Sequence, residues 1–219
     1  MPHVKVAKKS TDTDMTPFVD VAFLILSFFI MATQFKPPEP VQVETPNSVS
    51  SDILKEENSM LITVDKDNKV FININEKKGG HTGKLEAVIS DINQSRNLGL
   101  SQPQMTSFTK APIIGVSFTQ LKDFLNCPLD EQGKVVQPGI PVLDTLNNEL
   151  VWWIASVKKA FAGQKLLYLV KGDNKSKYPT FEAIINALRK NEEFKYNLVT
   201  SQEGAPEGTD LYKERRGIK

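Results

Sequence analysis

The sequence predicts a single-pass N-terminal transmembrane helix followed by a linker and a small α+β domain with an insertion. Three observations carry this. Residues 15–35 are almost wholly apolar. Four prolines follow between Pro37 and Pro46. Beyond them, strand alternation over residues 60–75 and a helix–strand–helix–strand order over residues 143–201 describe a mixed domain. The expected divisions are a cytoplasmic tail (1–14), the transmembrane helix (15–35), a Pro-rich linker (36–58), the exported domain (59–201, with 76–142 inserted) and a disordered tail (202–219).

Composition bounds the function. The chain has 219 residues and a formal net charge of +1. About 180 residues follow the apolar run, enough for one real core. The balanced charge argues against a nucleic-acid surface. The single cysteine, Cys127, excludes an intrachain disulfide. It is a small buried side chain or a reactive thiol, and the first is the ordinary case. His3 and His81 have no cysteine, histidine or carboxylate at ligand spacing, so no metal site is expected. No cofactor and no enzymatic constellation are expected either.

Taken in order, the tail carries Lys5, Lys8 and Lys9, and the far flank carries only Lys36 before Lys55. This bias places the N-terminus in the cytoplasm. Roughly 20 helical residues cross a hydrocarbon core, and residues 15–35 suffice. Thr11, Asp12, Thr13 and Asp14 offer cap side chains and negative charge at the helix start, and Pro17 suits the first turn. A cleaved signal peptide is one alternative, but Met31-Ala32-Thr33-Gln34 is a weak cleavage site. A passive anchor is another, with Asp20 snorkelling to the interface. Against both stands Asp20 itself, because a carboxylate inside a membrane segment is expensive and is by default a functional residue. Thr13, Asp20, Ser27 and Gln34 recur every seven residues, and Thr16 shares their face. This polar seam should face protein or water rather than lipid.

Asp14-Met15-Thr16-Pro17-Phe18-Val19-Asp20-Val21, after a short basic tail and before an apolar helix, resembles the opening of the ExbD/TolR family. The resemblance implies a subunit of a proton-driven motor in the bacterial inner membrane, with its domain in the periplasm. It implies a pair of such helices, hence a homodimer, inside a ring of a multi-pass partner, ExbB or TolQ. It implies that Asp20 takes up and releases the proton, with Thr16, Pro17 and Ser27 supporting the motif. A TonB-like protein would receive the motion and energise outer-membrane transport.

In the linker, Val41-Gln42-Val43-Glu44-Thr45-Pro46 alternates like a short edge strand ending at proline. Residues 60–75 form a hairpin around Asp65–Lys69; Phe71 breaks the alternation and allows burial on both faces. Residues 77–83 are a loop. Leu85, Val88, Ile89 and Ile92 have helical spacing, ending near Asn97 or Gly99, and Ser117 opens a second helix with Phe118, Leu121, Phe124 and Leu125. Residues 130–141 are a loop rich in Gly and Pro. A long helix is expected over residues 143–163, with Leu146, Leu150, Trp153, Ile154, Val157 and Phe161 inward and Trp152 peripheral or against a partner. A strand over 166–171, a turn at Gly172–Lys175, a helix from Tyr178 to about Asn191 and a strand over 196–200 complete the domain.

The order strand, aspartate turn with a lysine, tyrosine-led helix, closing strand is also similar to the periplasmic domain of that family. The likeness covers about residues 1–75 and 143–201, hence the assignment of 76–142 as an insertion. Asp173 is an acid–base candidate in principle and a turn former in the ordinary case. A TolR-like role in envelope constriction, a surface-motility drive, and a passively anchored periplasmic binding module remain alternative functions.

Overall fold

The computed structural model describes residues 15–32, 41–49, 57–77, 83–204 and 209. It divides into two compact units, Met1–Glu39 and Pro40–Lys219. His3, His81 and nearly all of the expected C-terminal tail lie outside the described residues.

Among its described residues the first unit holds one helix, α1 (Thr16–Ala32). Pro17 sits in its first turn, where a missing N–H costs nothing, and the Val19 amide donates to the Met15 carbonyl at 3.0 Å. Its 17 residues rise about 26 Å, short of a hydrocarbon core of about 30 Å. Among the described residues no helix is long and apolar enough to cross a membrane. The expected span runs on to residue 35, and residues 33–35 lie outside the described ones.

The second unit is a mixed α+β domain. Its elements are β1 (Asn47–Ser48), β2 (Ser59–Val64), β3 (Val70–Asn75), α2 (Lys84–Arg96), α3 (Gln102–Lys110), α4 (Phe118–Asn126), α5 (Leu129–Gln132), α6 (Glu149–Ala160), β4 (Leu167–Gly172), α7 (Tyr178–Lys190), β5 (Asn197–Val199) and β6 (Ser201–Gln202). The main sheet has the order β3-β2-β4-β5. β2 and β3 form the expected antiparallel hairpin, while β2–β4 and β4–β5 are parallel. Each parallel step needs a long crossover, which the helices supply. Register puts Met60 across from Ile74 and Tyr168, and Ile62 across from Ile72 and Val170. These residues alternate along their strands, share one face, and join one hydrophobic core with α2, α3, α4, α6 and α7.

The hairpin turn is held by Asp65. Its Oδ1 accepts the Asp67 and Lys69 amides, each at 2.8 Å, and Asn68 takes the left-handed conformation the reversal requires. Phe71 is buried on the second face. A Cβ at Gly115 would overlap its ring, so glycine is required where the backbone crosses it. Along β3 the outer edge is covered: Ile72 and Ile114 exchange backbone bonds at 2.8 and 2.9 Å, and the Ile140 amide donates to the Val70 carbonyl at 2.8 Å. Free strand edges invite pairing with other chains, and residues 113–116 and 139–140 close this one.

Residues 76–142 thus supply α2 to α5 and the cover of β3, and their apolar side chains pack into the same core as the hairpin and α6. Helix α2 ends at Asn97 in the left-handed conformation, as expected. Helix α3 lay outside the sequence expectations, although its signals are local. Pro103 is in the first turn, and Ser101 and Gln104 form a capping box. Helix α4 begins after Ser117, as expected, and the Glu149 carboxylate reaches its N-terminus, where Oε2 accepts the Phe118 amide at 2.8 Å.

The long helix expected from residue 143 begins only at Glu149. Asp144 accepts the Leu146 amide at 3.0 Å, and Asn148 caps the helix by accepting the Leu150 amide at 3.1 Å. Such side chains compete with the helical ladder, so they hold the start of the helix back to Glu149. Leu146 is 94 % exposed, while Leu150, Trp153, Ile154, Val157 and Phe161 are buried. Helices α2 and α6 are clamped by Asp91, which takes the Ser156 hydroxyl at 2.6 Å and pairs with Lys159. Those two partners hold the Asp91 carboxyl below its usual range. Cys127 is only half-buried, less enclosed than the buried side chain that is the ordinary reading of a lone cysteine.

Residues 41–46 do not form the short edge strand expected from their alternation. They lie outside any strand, and pairing starts after Pro46, where β1 lies parallel to β6.

Candidate functional site

On a helix each residue turns about 100° from the last. Thr16, Asp20 and Ser27 of α1 therefore fall within an arc of about 40°. Asp20 sits in the second turn, in a shallow hollow formed with Met15, Thr16, Val19 and Phe23. Ser27 spends its hydroxyl within the helix, donating to the Leu24 carbonyl at 2.9 Å. That bond gives the hydroxyl an acceptor within the helix, and Asp20 is the one ionisable group of α1. Pro17 lies off the stripe and serves the first turn. Thr13 and Gln34, the outer members of the seven-residue repeat, lie outside the described residues.

Around this stripe the helix is apolar on every side. Phe18, Phe23, Leu24, Leu26, Phe29 and Ile30 are all exposed. A helix hydrophobic all round belongs inside a larger core or a bilayer. The stripe then places the Asp20 carboxyl where a protein or water-lined neighbour can serve it.

Among its described residues the second unit offers no comparable chemistry. Among the described residues no group of His, Cys, Asp and Glu could hold a metal ion. Trp152 is 43 % exposed, but its ring lies 4.9 Å from the Arg96 guanidinium, so its neighbour is internal. Arg96 also lies 5.6 Å from the Phe118 ring. Burial pushes the half-buried Glu149 carboxyl upward, against the pull of the Phe118 amide and Arg96. This cluster ties α2, α4 and α6 together. Lys84 was not singled out by sequence; it is buried with its ammonium 4.6 Å from the Phe161 ring. Nothing in its spacing announces this, because the contact joins distant elements.

Asp173 is a turn former with a second duty. Its Oδ1 accepts the Lys175 amide at 2.9 Å and its Oδ2 accepts the Glu44 amide at 3.0 Å. The Asn174 amide returns a bond to the Glu44 carbonyl at 2.9 Å. The segment before β1 is thereby clasped to the turn after β4, and Ser201 secures it further by donating its amide to the Pro46 carbonyl. The Lys175 amide first, then the Glu44 amide, hold the Asp173 carboxyl below the usual aspartate range. A lowered folded-state value means the clasp is fully formed above the unfolded aspartate value, about 3.9. It weakens as pH falls through the folded-state value. Protection of the Glu44 amide from hydrogen exchange, corrected for intrinsic rate, should therefore hold at neutral pH and fall only in strong acid. In Asp173→Ala it should be lost at all pH values; unchanged protection in that variant would refute the clasp.

The family model described as Biopolymer transport protein ExbD/TolR matches residues 7–203. Comparisons with curated proteins and with solved structures each return no match.

Proposed function

Because the chain belongs to the ExbD/TolR family of biopolymer transport proteins, we propose that it is a motor subunit of the bacterial inner membrane. In this reading the proton-motive force drives it, Asp20 carries the proton, and the motion energises TonB-dependent outer-membrane transport. Residues 15–35 cross the membrane once, with the N-terminus in the cytoplasm and the α+β domain in the periplasm. An ExbB/TolQ-like multi-pass ring surrounds a pair of these helices, and a TonB-like protein receives the motion. Members of the family are not enzymes, and this chain is read in the same way.

The observation that supports this most is the α1 stripe: one carboxyl on an otherwise apolar helix, aligned with Thr16 and Ser27. An ionised Asp20 favours polar groups of the ring. Once protonated it is neutral and can pass an apolar ring surface. The two states thus prefer different positions of the helix, and a proton gradient biases the exchange between them.

Replacement of residues 15–35 by an unrelated apolar helix of equal length tests the reading against a passive anchor. The motor reading expects the swapped chain to reach the membrane but to support no energised uptake. Full complementation by the swapped chain would favour the anchored binding module instead.

A further inference from the structure

A groove of about 300 Å³ opens beside Val41, near the start of the second unit. Lys66 and Lys69 from the β2–β3 turn and Lys134 from the loop after α5 line it. The one carboxylate in the lining, Asp65, is engaged with the amides of its own turn. Among the described residues none of the three ammonium groups lies within ion-pair distance of a carboxylate, and Lys66 acts on Asp173 only through longer-range Coulombic attraction. The groove continues into Val135 and Val136, and Val136 is 85 % exposed.

The groove thus joins exposed apolar side chains to a concentration of positive charge. Both are served at a bilayer interface, where apolar groups enter the acyl boundary and lysine stems carry their ammonium groups to anionic headgroups. The chain supplies a second constraint. From Ala32, the last residue of α1, to Val41 in the groove there are nine peptide steps. These can span no more than roughly 30 Å when fully extended.

We propose that this groove docks anionic phospholipid headgroups of the membrane that α1 and its flanks enter, with Val135 and Val136 in the interface. This rests on the membrane-span reading above. Lipid contact would give the domain a resting position against the membrane, to be left when the motor pulls.

The test uses the full chain in nanodiscs of phosphatidylcholine alone or mixed with phosphatidylglycerol. Gly133→Cys in a Cys127→Ser background places one environment-sensitive fluorophore at the groove, since a Cβ at Gly133 meets open space. Quenching by headgroup-labelled lipid should be several-fold stronger in the anionic discs. It should return to the zwitterionic value in the combined Lys66→Gln, Lys69→Gln and Lys134→Gln variant and at high salt. Equal quenching in the two lipids, or no effect of the lysine variant, overturns the proposal. So does a spectral change driven by soluble polyglutamate and independent of lipid, which would assign the groove to an acidic peptide. Failure of the chain to enter either disc overturns the membrane-span reading and this proposal with it.

Discussion

Asp20→Asn is expected to reduce energised uptake to background while leaving the chain in its membrane complex. Asparagine keeps the shape and hydrogen-bonding reach of aspartate but cannot gain and lose a proton. The helix would retain its apolar surface and its Thr16–Ser27 stripe. Binding to the ring should survive because those features are intact, so co-purification with the multi-pass partner measures assembly separately from drive. Asp20→Glu restores the ionisable group one carbon further out and should recover part of the activity. A structural role for Asp20 predicts the reverse order: asparagine would be tolerated better than the longer glutamate. Undiminished uptake of a siderophore or cobalamin by the asparagine variant would remove Asp20 from the mechanism.

The largest expected effect on stability is at Trp153. Its side chain is wholly buried. It lies nearly parallel to Phe108 of α3, with ring centroids 5.7 Å apart, and tilted against Phe118 of α4 at 5.5 Å. Trp153→Ala removes both aromatic contacts and leaves a cavity, a change that costs about 3–5 kcal/mol in well-packed cores. Trp153→Phe should cost much less, because the indole Nε1 finds no hydrogen-bond partner among the described residues. Denaturant unfolding of the full chain in detergent, followed by circular dichroism, measures both. The loss should come as one cooperative transition, since the stack joins α6 to two helices of residues 76–142. Two separated transitions, with α3 and α4 unaffected by the substitution, would contradict a shared core.

These two residues also show what was legible in the sequence. Asp20 was legible because a charge inside an apolar run violates a local rule. The hairpin was legible because Asp65–Lys69 interrupts two alternating runs, and α2, α4 and α7 because their apolar spacing is regular. Trp153 was placed inward by the stripe of α6, but its partners were not foreseeable. Phe108 lies on a helix whose capping signals, Ser101, Pro103 and Gln104, are clear only once looked for. The apolar stripe overran the start of α6 because Leu146 fits the period, while Asp144 and Asn148 bind the backbone in other ways. The parallel pairing of β2 with β4 and the closure of β3 by Ile114 and Ile140 join residues far apart in the chain, and no local pattern encodes them. Asp173 was recognised as a turn residue, but its bond to Glu44 spans 129 positions and was beyond local inference.

The central claim is that Asp20 changes its protonation state as the motor runs. Infrared difference spectroscopy on the full chain with its membrane partner, reconstituted in vesicles, tests it most directly. Imposing a proton gradient should produce a protonated-carboxyl band that is absent without the gradient and lost in Asp20→Asn. The same band persisting in Asp20→Asn, or no carboxyl change under the gradient in a complex that is competent for proton flux, would contradict the account.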